Sequence, residues 1–108
     1  MDSWDIRSLD LEPRHPRVLR SDNETRVIAL NLPGGEELQE HQVHERSYLV
    51  VVDGEVEIHQ NGRSQTGGAG FVAHFEPQER NEVRATSDTR LLLILSPWPG
   101  EGHPSNRE

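Results

Sequence analysis

The sequence predicts an all-β domain, and three observations carry that prediction. Turn signals recur at Asp53-Gly54, Asn61-Gly62, Gly67-Gly68, Pro77 and Ser87-Asp88, a rhythm of about 8 to 12 residues that belongs to sandwiches and barrels. Between two of them, Glu55-Val56-Glu57-Ile58-His59 alternates strictly, as a strand does when Val56 and Ile58 face inward and the carboxylates face water. No window carries a convincing helical period, so helices are not expected.

Composition bounds the rest. A chain of 108 residues is long enough for one domain with a modest core. Its apolar share of 31% is low, so the core should leave out both ends. A formal charge of −8 argues against a nucleic-acid partner, because no basic stripe is available to displace counterions from phosphates. No apolar run approaches the roughly 18 residues of a membrane span, and no signal-peptide pattern follows Met1. The expectation is a cytoplasmic protein with no membrane partner. Cysteine is absent, which removes disulfides, thiol nucleophiles and thiolate ligands. All eleven basic residues are arginine, which excludes Schiff-base chemistry on a lysine.

Taken in order, residues 1–25 read as an N-terminal arm lying over the domain, polar and broken by Pro13 and Pro16, with room for one short edge strand. Arg26 to Leu32 is rich in β-formers and closes at Pro33-Gly34-Gly35, so it reads as a strand. Tyr48 to Val52 is a near-continuous apolar strand. Asp53-Gly54 and Asn61-Gly62 are both expected to be hairpin turns, since a type I′ turn needs positive φ at its two central residues. Gly67-Gly68-Ala69-Gly70 lacks the helix and lysine of a phosphate loop and reads as a third hairpin. Phe71 to Phe75, Glu82 to Thr86 and Arg90 to Leu95 supply further strands. The barrel is expected over 26–96 and a C-terminal tail over 97–108.

Leu91-Leu92-Leu93-Ile94-Leu95 is apolar on both faces, whereas a half-buried strand alternates. Its second face needs a cover. The N-terminal arm or a second copy of the chain could supply it, and a homodimer is expected.

The stretch from Gly35 to Gly54 resembles the first motif of the cupin superfamily: a glycine, five residues, a His-x-His pair, a glutamate and a closing glycine. The stretch Gly70 to Asn81 resembles the second, in which family members usually carry Gly at position 78 and a third His at position 81. The resemblance covers roughly 26–96 and implies an antiparallel jelly-roll β-barrel, closed enough to hide its strand edges. In the family, three imidazoles and a carboxylate hold a first-row metal with open positions. Here the first His is His41, the second position holds Val43, the glutamate position Ser47 and the third His position Asn81. Of four expected ligands only His41 is present.

Two readings follow. In one, His41 and His44, with Asn81 as a weak oxygen donor, hold a divalent metal weakly. This would make the chain a metal-dependent enzyme of cupin type, a dioxygenase, isomerase or cyclase. In the other, which the ligand count favours, no cofactor is firmly implied. The chain is then a non-catalytic or weakly catalytic small-molecule-binding barrel whose pocket is made by His41, Ser47, Leu49, Val51, His74 and Asn81. A third, a structural or interaction module, rests on the two-faced strand. His74 amid Phe71, Val72, Ala73 and Phe75 reads as a core or pocket residue rather than a ligand. Glu45-Arg46 and Glu79-Arg80 read as solvated ion pairs, or as one arginine presented to a substrate carboxylate.

Overall fold

The computed structural model describes residues 1–22, 24–41 and 45–96, with the backbone alone for 39–41. Nine strands follow in order: β1 (Arg17–Ser21), β2 (Arg26–Leu32), β3 (Glu37–His41), β4 (Arg46–Asp53), β5 (Glu55–Gln60), β6 (Arg63–Gly68), β7 (Val72–Phe75), β8 (Asn81–Ala85) and β9 (Thr89–Ser96). No helix occurs among the described residues, and no helix is long and apolar enough to cross a membrane. The strands form a five-stranded sheet, β1-β2-β9-β4-β7, facing a four-stranded sheet, β3-β8-β5-β6. Every ladder between these strands is antiparallel.

This is the expected jelly roll, with one difference. Among the described residues no ladder joins the two sheets, so β1 and β7 remain edges of one and β3 and β6 edges of the other. The core lies between the sheets. Leu30 and Leu32 of β2, Leu49 and Val51 of β4, Phe75 of β7 and Leu91 of β9 meet Val56 and Ile58 of β5 and Val83 and Ala85 of β8. Each is one of alternate residues on its strand, which is why Glu55-Val56-Glu57-Ile58-His59 could be read without coordinates.

The turns divide by whether the chain stays in its sheet. Asn61 and Gly62 have φ of 52° and 75°, both positive as a type I′ hairpin requires, and they join paired neighbours β5 and β6. Asp53-Gly54 is not a hairpin. Gly54 alone has positive φ, at 94°, and it carries the chain from β4 in one sheet to β5 in the other. Gly67-Gly68-Ala69-Gly70 is likewise no hairpin. Gly67 and Gly68 end β6, and the chain then crosses to β7 in the facing sheet. Local turn chemistry is the same in both situations; which sheet receives the next strand depends on long-range pairing.

The N-terminal segment supplies an edge strand, β1, and an arm that crosses the outer face of the five-stranded sheet. Asp2 binds Arg20 of β1 at 3.1 Å. Arg90 of β9 donates from Nη1 to the carbonyls of Ile6, at 2.8 Å, and Leu9, at 2.6 Å. Ala29 is fully buried at 0% exposure although it alternates with the core residue Leu30, and Leu11 of the arm is buried too. The arm thus covers part of the second apolar face. The remainder, over β4 and β7, stays open: Tyr48 is 39% and Val72 55% exposed.

Candidate functional site

The wall of the sandwich opens where its two edge strands β6 and β7 face each other. The hairpin register sets what lines this opening. Gln65 lies opposite Ile58 and Arg63 opposite Gln60, and opposite residues in an antiparallel pair share a face. Ile58 is a core residue, so Arg63, Gln65 and Gln60 belong to the inner side as well. Across from them stand Phe71, Ala73 and Phe75. Together these residues line a cleft of about 400 Å³, with Ser64, Val72 and His74 at its margin. That volume is within the range of small-molecule sites.

Each wall has a local cause. Phe71 is held because Gly67 leaves room for it: a Cβ on Gly67 would overlap the Phe71 ring. The aromatic thereby covers a bare glycine on the edge strand. Gln60 is oriented by Glu79, which accepts from its Nε2 at 3.2 Å. Glu79 also accepts from the Glu76 N–H at 2.5 Å. That second bond braces the turn Glu76-Pro77-Gln78-Glu79, in which the Glu79 N–H donates to the Glu76 carbonyl at 3.2 Å. Gln78 has φ of 66° at the third position of this turn, the place where a type II turn following proline takes glycine.

The residues singled out in the sequence are distributed differently. The Cα of His41 on β3 pairs with that of Asn81 on β8, so the two strands meet where the first and third histidines of the motif would stand. Asn81 lines a separate groove of about 290 Å³ with His59, Gln60, Arg80 and Glu82, at the start of β8. Ser47 is buried on β4, opposite Phe75. Leu49 and Val51 are sealed in the core rather than lining a cleft. His74 lies on the outer side of β7, its ring 4.9 Å from that of Tyr48, because it alternates with the inward Phe75. It reaches the cleft only at its rim. Val43 and His44 lie outside the described residues.

Of the Glu-Arg pairs, Arg46 binds Glu76 at 3.6 Å, and Glu79 accepts from Gln60 and from the Glu76 N–H of its own turn. Neither dipeptide is an isolated surface pair. Arg63, Gln60, Gln65 and Phe71 were not singled out from the sequence. Extending the Glu55–His59 alternation across the Asn61-Gly62 turn would have found the first three.

The family's metal can be weighed against these donors. One imidazole, a hydroxyl at Ser47 and an amide at Asn81, with valine at the second histidine position, make a poor set for a first-row transition metal. Among the described residues no group of three His, Asp or Glu side chains is placed to hold a metal ion. The residues at the motif positions do not fit it.

Comparison with known proteins bears on the architecture. None of the curated proteins compared matches the chain in sequence. Among solved structures, an RmlC-like cupin protein from Desulfovibrio desulfuricans superposes with a TM-score of 0.79 at 19% identity, over 90% of this chain and 97% of that one. A cupin superfamily protein from Desulfitobacterium hafniense gives 0.78 at 10% identity, over 86% and 87%. The Cnp3 cupin domain of Schizosaccharomyces pombe gives 0.78 at 13% identity, over 89% and 74%. These likenesses concern the fold. The family model for the cupin domain matches residues 29–97, from within β2 to the end of β9, and the chain therefore belongs to the cupin family.

Proposed function

We propose that this cupin binds a small organic molecule and has little or no metal-dependent catalysis of its own. The observation that supports this most is the open cleft between β6 and β7, where one guanidinium and two amides converge on an aromatic wall. A few placed polar groups on an otherwise apolar concavity are the usual make-up of a small-molecule site. Serine and asparagine at the motif's ligand positions weigh on the same side.

A thermal-shift survey of small metabolites tests the reading, since a ligand that binds only the folded state raises Tm by mass action. At least one class should raise it reproducibly. Metal content by mass spectrometry tests the metal-dependent alternative built on His41 and His44. Less than about one-tenth of a metal per chain is expected for the wild type, and Asn81→His should raise zinc or nickel affinity because imidazole is the better donor. One tightly held metal per chain in the wild type would overturn the reading in favour of a metal-dependent cupin enzyme.

The reading includes a homodimer. Its support is the part of the outer face that the arm leaves uncovered, where Tyr48 and Val72 are exposed and Val50 and Ile94 are half-buried. Covering apolar surface is favourable by about 25 cal/mol per Å².

A further inference from the structure

We propose that the ligand of the β6–β7 cleft is a small monocarboxylate carried on a flat apolar body. This rests on the small-molecule reading above and adds the chemistry that the cleft would select.

Charge is the first argument. The chain carries nineteen Asp and Glu residues and a net charge of −8, yet among the described residues no carboxylate lines this cleft. Its ionisable groups are Arg63 and, at the rim, His74. Glu79 stands behind Gln60, accepting from its Nε2 at 3.2 Å, and is not itself among the residues that line the cleft. Among the described residues Arg14, Arg20, Arg46 and His59 make ion pairs, and Arg63 is in none of these. A guanidinium that pairs with no carboxylate among the described residues, on an otherwise acidic protein, marks the place where an anion meets attraction instead of repulsion.

Geometry is the second. Arg63 and Gln65 share the inner side of β6 by register, so the guanidinium fork and an amide donor border the same opening. The fork matches a carboxylate with two parallel hydrogen bonds. Behind it Phe71, held against Gly67, and Phe75 and Ile58 of the core offer an apolar wall on which a flat body can pack. The count of cations decides between anions. A single guanidinium matches one negative charge, whereas a phosphate dianion would leave a charge unmatched.

The test is a titration of isotopically labelled protein, followed by amide chemical shifts, with phenylacetate, its neutral amide phenylacetamide, and phenyl phosphate. Phenylacetate should shift the amides of Ile58, Gln65 and Ala73 and bind roughly tenfold tighter than phenylacetamide, because charge-assisted hydrogen bonds are about twice as strong as neutral ones. Arg63→Gln, an exposed position whose change should leave Tm unaltered, should abolish that preference by bringing phenylacetate down to the affinity of phenylacetamide. Equal binding of acid and amide, or a preference that survives Arg63→Gln, would overturn the inference and leave a neutral ligand for the cleft. Phenyl phosphate binding more tightly than phenylacetate would overturn the choice of a monoanion. Failure of all three probes to move these amides would also overturn it, and the thermal-shift survey then decides separately whether the small-molecule reading stands.

Discussion

Gly54→Ala should be among the most damaging single-methyl additions in this protein. Gly54 turns the chain from β4 into β5 with φ of 94°, outside the regions that an alanine occupies comfortably. That alone costs about 1–2 kcal/mol. The new methyl would also lie 2.5 Å from Thr89 Oγ1, 2.7 Å from Thr89 Cα, and closer still to the Asp88 carbonyl oxygen. These are backbone or buried atoms and cannot rotate away, so overpacking adds about 1–3 kcal/mol. Thr89 is itself a junction. It is 1% exposed; its hydroxyl accepts from the Glu55 N–H at 3.0 Å and lies within donating distance of the Ser87 and Glu55 carbonyls, at 2.8 and 3.0 Å.

The combined loss should be about 2–5 kcal/mol, a large part of the roughly 5–15 kcal/mol that stabilises a domain. At about 4–8 °C per kcal/mol, Tm should fall by at least roughly 8 °C. Urea unfolding should show the same loss in midpoint with unchanged slope. Gly62→Ala is the control. Its φ is also positive, at 75°, but a Cβ there meets nothing within 4 Å, so only the backbone cost of about 1–2 kcal/mol remains. If the two variants melt within a few degrees of each other, the role assigned to the Gly54–Thr89 contact is wrong.

Three further outcomes are expected. Arg90→Met should free the arm by removing its bonds to the Ile6 and Leu9 carbonyls; a loss of roughly 2 kcal/mol is expected for part-buried charged hydrogen bonds, with faster proteolysis within the first ten or so residues. Unchanged cleavage there would show that the latch lies elsewhere. Asp22 accepts from the Glu24 and Thr25 N–H groups, both at 2.9 Å, and these bonds, with a smaller part from Arg20, hold its carboxyl below the ordinary carboxylate range. Because the folded state lowers that pKa, its contribution is present at neutral pH and fades as pH falls through the carboxylate range. The Tm penalty of Asp22→Ala should therefore be larger at neutral pH than under acid, and a penalty that grew on acidification would contradict the sign. Val72→Asp, on the open outer face, should dissociate the expected dimer in sedimentation at tens of micromolar protein without lowering the stability of the monomer; a wild type that sediments as a monomer would remove the dimer from the proposal.

How much could be read without coordinates differs from element to element. The strand Arg26–Leu32 coincides with β2, and Glu55–His59 lies within β5, because strict alternation and bounding turns are local signals. The Asn61-Gly62 hairpin was legible for the same reason: its two residues alone meet the φ requirement of the turn. Gln78 shows the motif spacing surviving in the backbone after the side chain has changed, since the position that resembles the family's glycine still adopts positive φ.

What the tertiary structure decided concerns pairing between distant segments. Asp53-Gly54 carries the same local signal as Asn61-Gly62, yet it crosses between sheets, because β4 finds its neighbours in β7 and β9 rather than in β5. The apolar strand Leu91–Leu95 showed that a second face needed covering; only the placement of Arg90 against the arm divides that face into a covered and an open half. The site shifted for the same reason. The apolar company of His74 suggests a core or pocket residue, but company does not set direction: pairing with β4 turns Phe75 to the core and His74 outward. Arg63 carries no local signal at all. Its standing as a candidate ligand group comes from a hairpin register that puts it on the inner side, opposite a β-strand nearly ten residues away across the opening, and from the absence of a carboxylate on that wall among the described residues. Side-chain type and period are properties of the sequence, whereas which strand lies opposite, and so which charges meet, is fixed by packing two sheets around one core.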